Sequence, residues 1–198
     1  SSKKKKPGKK RKKPASATAK FPRHTVEQAL RIPKAILEQN AGRPCTSALA
    51  AAYVGVGDHG PFRLEVSSAI KYGLIERVEK NIKPTDLARQ ILRPQSKTDE
   101  VDGYRQAIRN APTLGKVYEH YRGENLPDDK FLKNTSAGKF AVPSDKFLEF
   151  KRILLHNLEK AELVEKKGDQ VRIVATSSDV PQTSLVKAAG HTLSSRST

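Results

Sequence analysis

The sequence predicts a mainly α-helical protein with short β-hairpins, organised as two similar halves between two disordered tails. Three observations carry this reading. Apolar residues recur at helical spacing through most of the interior. Two short runs, "LIERVEKNIK" and "LVEKKGDQVR", each place extended residues on either side of a turn. These two runs also align with one another at a constant offset of 89 residues.

The first element lies in "HTVEQALRIPKAILEQNAG". Thr25 followed by Gln28 fits a capping box, Pro33 kinks the helix or restarts it as a first-turn residue, and Gly42 is a C-terminal stop. Ala29, Ile32, Ile36 and Leu37 supply its apolar face. An Ala-rich helix follows in "CTSALAAAYV". A third is expected in "PFRLEVSSAIKYG", where Phe62, Val66, Ala69 and Ile70 recur at helical spacing. Gly73 ends it, "LIERV" is extended, Asn81 turns the chain with about four residues between strands, and Thr85 caps "DLARQIL" before Pro94 stops it. Three helices and then a two-stranded ribbon is the order of a winged helix-turn-helix, with the ribbon as wing.

The second half repeats the plan. "VYEHYRG" ends at Gly123 as "ILEQNAG" ends at Gly42. Further on, Lys71 aligns with Lys160, Leu74 with Leu163, Ile75 with Val164, Glu76 with Glu165, Arg77 with Lys166, Ile82 with Val171 and Lys83 with Arg172, and Gly168-Asp169 supplies a hairpin turn. Internal duplication explains this better than chance. The polar stretch "RPQSKTDEVDG" reads as the connection. The expected organisation is a disordered basic tail at 1–22, a winged-helix-like domain at 23–95, a linker at 96–103, a second such domain at 104–174 and a disordered Ser/Thr-rich tail at 175–198. The apolar helix in "DKFLEFKRILLHNLEKAEL" is either a core element or a dimer seam.

Charged residues make up 30% of the chain and the net charge is +17, most of it at one end. Residues 1–23 carry 11 basic and no acidic side chains, whereas residues 24–95 net +3, 96–174 net +2 and 175–198 net +1. The first stretch has no apolar periodicity, and its like charges repel, so it has no buried face to fold on. Charge at the start without an apolar stretch after it argues against a secretory signal, and no run approaches the ~18 to 20 apolar residues of a membrane span. With Cys45 as the one cysteine, no internal disulfide forms and a thiolate zinc site lacks ligands. An intracellular, cytoplasmic protein is expected, nucleoid-associated in a bacterium or nuclear in a eukaryote.

The segments "FPRHTVEQALRIPKAILEQNAGRPC", "GPFRLEVSSAIKYGLIE", "IKPTDLARQILRP" and "NAPTLGKVYEHYRGENLP" together resemble a prokaryotic family of small tandem winged-helix-like proteins with no assigned reaction. The resemblance spans roughly residues 22–174 and implies the fold. The chain departs from it at Pro84-Thr85-Asp86, where such proteins tend to show Leu-Thr-Pro, and Pro84 lacks the N–H that a central ladder needs.

For function, the sequence points to non-enzymatic DNA binding, transcription-regulatory or nucleoid-associated. Lys3, Lys4, Lys5, Lys6, Lys9, Lys10, Arg11, Lys12 and Lys13 form an arm suited to neutralising phosphates and releasing counterions, although such a run equally suits nuclear import. On the third helix, Arg63, Ser67 and Lys71 form an outward i, i+4, i+8 stripe with Ser68 beside it, the residue types that read a major groove; an ordinary solvated face is the competing reading. Arg77, Lys80 and Lys83 on the ribbon reach toward the backbone, diluted by Glu76 and Glu79. The alternative is a protein-interaction or homodimerisation module using winged-helix surfaces, with the tail as accessory.

No catalytic constellation, cofactor or metal site is indicated. "GVGDHG" matches G-x-G-x-x-G but follows a helical stretch rather than a strand, so its glycines read as a turn. His24, His59, His120, His156 and His191 lack metal-ligand spacing, and Cys45 has no base partner. Tyr118 and Tyr121, flanking His120, are expected to pack rather than stack bases. Double-stranded DNA is the expected partner, with no membrane.

Overall fold

A computed structural model describes residues 20–176. These are mainly helical with two short antiparallel hairpins: α1 Val26–Ala29, α2 Arg31–Asn40, α3 Ser47–Val54, α4 Gly60–Lys71, β1 Ile75–Val78, β2 Asn81–Pro84, α5 Asp86–Leu92, α6 Lys97–Asn110, α7 Pro112–Tyr121, α8 Asp129–Phe140, α9 Phe147–Lys160, β3 Val164–Lys167 and β4 Gln170–Ile173. A 3₁₀ turn, Ser144–Lys146, precedes α9. No helix among the described residues is long and apolar enough to cross a membrane.

Local chemistry sets the helix ends. Thr25 Oγ1 accepts from the Gln28 N–H while Gln28 Oε1 accepts from the Thr25 N–H, closing the capping box. The helix then breaks at Leu30, and Pro33 sits in the first turn of α2, where its missing N–H costs nothing. Thr46, Thr85 and Ser96 cap α3, α5 and α6 through their hydroxyls. Gly55 and Gly57 of "GVGDHG" lie in the turn between α3 and α4, and Gly60 opens α4; Gly55 is in the left-handed region at φ 80° as the C-cap of α3.

The two hairpins agree pair for pair at the offset of 89. In β1–β2 the partners are Ile75–Pro84, Glu76–Lys83, Arg77–Ile82 and Val78–Asn81; in β3–β4 they are Val164–Ile173, Glu165–Arg172, Lys166–Val171 and Lys167–Gln170. The flanking bonds follow: Thr85 N–H donates to Leu74 O as Val174 N–H does to Leu163 O, and Leu74 N–H donates to Ala69 O as Leu163 N–H does to Leu158 O. Each half also adds a bridge from the segment after its earlier helix, Cys45 to Ile82 and Asn125 to Arg172. Left-handed positions recur as well. Gly73 (φ 74°) corresponds to Glu162 (φ 54°), and Glu79 (φ 53°) to Gly168 (φ 57°).

The core is continuous across the halves. Phe21 packs edge-on against Phe150 with ring centroids 5.2 Å apart, and Arg23 pairs with Glu149. A buried relay crosses the seam: Val26 N–H donates to Asn157 Oδ1 (3.0 Å), Asn157 Nδ2 donates to Tyr72 OH (2.8 Å), and Tyr72 OH donates to His24 O (2.7 Å). Asn110 Nδ2 adds a bond to Tyr72 O (3.0 Å). Every polar atom of this relay is thereby satisfied away from water.

Several sequence expectations are corrected. Phe21 and Pro22, assigned to the tail, are buried. The expected linker 96–103 is Ser96 plus the first two turns of α6, whose Val101, Tyr104, Ala107 and Ile108 bury one face. The first ribbon turns through two residues, Glu79 and Lys80, and Asn81 opens β2 rather than making the turn. Of the C-terminal tail only 175 and 176 are described; the remainder, and residues 1–19, lie outside the described residues.

Candidate nucleic-acid interface

The outward stripe expected on α4 is present only in part. Arg63 is well exposed, but Asp58 holds it: Arg63 Nε donates to Asp58 Oδ1 at 3.1 Å, and Ser47 Oγ donates to the same oxygen. Ser67 is half-buried. Ser68 is buried, a correction with a clear cause: the N-terminal segment lies across the end of α4. Ser68 Oγ donates to Leu64 O, accepts from the Arg23 N–H at 3.0 Å and lies 3.2 Å from His24 Nδ1. Lys71 is half-buried and donates to Phe21 O (3.4 Å); burial, reinforced by the Arg23 charge, holds its ammonium below the usual lysine range. The exposed stripe therefore narrows to Arg63 and part of Ser67, beside the exposed Leu64.

On the hairpin, Lys83 Nζ pairs with Glu76 at 2.9 Å across the strands. Arg77 and Lys80 are exposed and make no ion pair among the described residues. The nine cations from Lys3 to Lys13 lie outside the described residues.

The equivalent helix of the second half, α9, is a core element. Phe147, Phe150, Ile153, Leu154, Asn157 and Leu158 are buried, and the segment 21–27 covers another flank through Phe150, Glu149 and the pairing of Glu27 with Lys160 (3.2 Å) and His156 (3.0 Å). A different stretch of α9 stays open. Leu148 is 76% and Phe131 on α8 58% exposed, and Phe131 lines a cleft of about 570 Å³ with Leu126, Leu155 and Val171, rimmed by Asp128, Asp129, Asp169 and Lys151.

Two further clusters escape sequence reasoning. Glu65, buried on α4, accepts two bonds from Arg31, Nε to Oε1 (3.0 Å) and Nη2 to Oε2 (2.6 Å), beside His24, whose burial holds its ring below the usual histidine range despite Glu65. The other is an open groove between the ends of α6 and α8 and the side of α7, lined by Arg109, Lys116, Glu119, His120, Lys139 and Phe140. Lys116 and His120 stand one helical turn apart, a spacing visible in the sequence, but Lys139 comes from another helix and joins them only in the fold.

Cys45 is buried, which pushes its thiol up. Tyr118 and Tyr121 are buried as packing residues, and Tyr118 OH donates to Val174 O. No group of three or more His, Cys, Asp or Glu able to hold a metal ion occurs among the described residues. Comparison of the chain with protein-family models, curated proteins and solved structures gives no match.

Proposed function

We propose that this protein is a non-enzymatic nucleic-acid-binding protein, with double-stranded DNA as its partner, built of two winged-helix-like halves and holding its ligand chiefly by phosphate contacts. The observation that carries the reading is the run of nine Lys/Arg between Lys3 and Lys13, with no acidic residue before Glu27. Such a run contributes sequence-independent, salt-sensitive affinity. The repeated order of helix, bridge, helix, helix and hairpin supports the winged-helix reading.

Base reading takes a smaller share. A groove-reading helix needs several side chains free to swing onto base edges, and on α4 Arg63 is tied to Asp58, Ser68 is buried and Lys71 is half-buried against Phe21 O. Arg77 and Lys80 on the hairpin fit backbone contact better than base contact.

The direct test is titration of the full chain against short labelled duplexes of unrelated sequence at low salt. Binding that varies little between sequences, and weakens when Arg77 and Lys80 are both changed to Ala, is expected; a chain that binds no duplex at low salt is not a double-stranded-DNA-binding protein. In that event the second reading takes its place. Phe131 is a large apolar side chain left open at a cleft rimmed by three carboxylates and Lys151, and such a surface suits a basic, apolar partner segment.

A further inference from the structure

We infer that the groove between α6, α7 and α8 is a second phosphate-binding surface, which takes the backbone of the nucleic acid on the half of the molecule that sequence reasoning left without a site. The inference rests on the nucleic-acid reading above and assigns a place and a set of residues to part of it. The C-terminal ends of α6 and α8 meet one side of α7 there. Arg109 comes from the last turn of α6, Lys116 and His120 from α7, and Lys139 from the last turn of α8, over a floor that includes Phe140.

This convergence depends on Gly115. A Cβ at that position would stand 2.7 Å from the Arg109 carbonyl oxygen, closer than packing allows, so only glycine lets α7 fold back this tightly against the end of α6.

The side-chain charges are mostly of one sign. Among the described residues Glu119 is the one carboxylate lining the groove, and its Oε2 is 3.1 Å from Arg122 Nη1, outside the lining set. Lys139 Nζ stands 3.1 Å from His120 Nδ1 and 6.0 Å from the Phe140 ring centroid, so the ammonium rests between two aromatic rings without a carboxylate partner among the described residues. Lys116 is exposed and likewise without an ion pair among the described residues. Several other cations of the described body are held by carboxylates, as Arg63 is by Asp58, Lys83 by Glu76 and Lys151 by Asp129. Lys116 and Lys139 remain available, and two available ammonium groups in one groove match successive phosphates of a strand better than they match a single small anion.

The experiment compares the salt dependence of duplex binding by the full chain, a Lys116→Ala/Lys139→Ala variant, and a charge-matched Lys34→Ala/Lys130→Ala variant that removes two exposed lysines elsewhere. Loss of two phosphate contacts makes the plot of log affinity against log salt shallower by about 1.8 for the groove variant, while the matched variant keeps the slope of the parent chain. An unchanged slope in the groove variant, or an equal loss in both, overturns the inference and leaves the nucleic-acid reading standing. A parent chain that binds no duplex removes both together. Circular dichroism on each variant confirms the fold, since exposed lysines carry no core contacts.

Discussion

Replacing Asn157 by Ala removes the link through which the two halves share a buried hydrogen-bond relay. Its side chain accepts from the Val26 N–H, on a residue with no exposed surface, and donates to the buried Tyr72 hydroxyl. In the variant the Val26 N–H loses its acceptor in a place water does not reach, which costs about 1–3 kcal/mol, and the bond to Tyr72 accounts for about 1 kcal/mol more. Tyr72 still donates to His24 O, so its own donor is not orphaned. The sum, about 2–4 kcal/mol, lowers the midpoint of thermal unfolding by roughly 5–15 °C for a chain of this size. Thermal and urea unfolding followed by circular dichroism measure it. Tyr72→Phe is the companion variant, and because both remove the same bond, the double variant costs less than the sum of the singles by about 0.5–3 kcal/mol. A loss below about 0.5 kcal/mol for Asn157→Ala, or strict additivity, would show that the relay does not join the halves.

Two further outcomes concern the repeat and its titrating groups. Glu79 and Glu162 occupy left-handed backbone where the other copy has Gly168 and Gly73; Glu79→Gly and Glu162→Gly each relieve about 1 kcal/mol of strain, less the entropy that glycine restores to the unfolded chain, so a small rise in unfolding midpoint is expected and a fall contradicts the correspondence. The lowered His24 titration is a pH effect of definite sign. The group is held neutral by burial, with Glu65 and Glu149 opposing and Arg23 and Arg31 assisting, so below the unfolded value of about 6.5 the unfolded state binds more protons and stability falls as the pH drops toward the folded value. Urea midpoints across that window test it, and a His24→Asn variant with the same acid slope would refute it.

The hairpins were the most legible part of the fold, because short extended runs and the Gly168-Asp169 turn are local signals, although the first turn falls at Glu79-Lys80 rather than at Asn81. The offset of 89 therefore carries over to every strand pair. Helix caps were legible for the same reason at Thr25 and Thr85. The start of α6 was missed although Ser96 caps it, since its first turn, Lys97 to Glu100, is wholly polar and its buried face begins only at Val101. Burial by distant segments was illegible. The period of α4 correctly turns Phe62, Val66 and Ala69 inward, but nothing local shows that Arg23 and His24 will cover Ser68, or that Arg31 will draw Glu65 inside. The cationic groove was hidden likewise, because its lysines come from different helices.

The salt dependence of duplex binding by the full chain, set beside a chain shortened by residues 1–13, tests the proposed function most directly. The cut keeps Phe21 and Pro22, which the core requires. Each phosphate contact contributes about −0.9 to the slope of log affinity against log salt. The full chain is expected to show a steep slope that becomes shallower by several units on shortening, with weak binding retained by the body at low salt. A slope unchanged by the loss of all nine cations between Lys3 and Lys13 would contradict the phosphate-binding role of that segment.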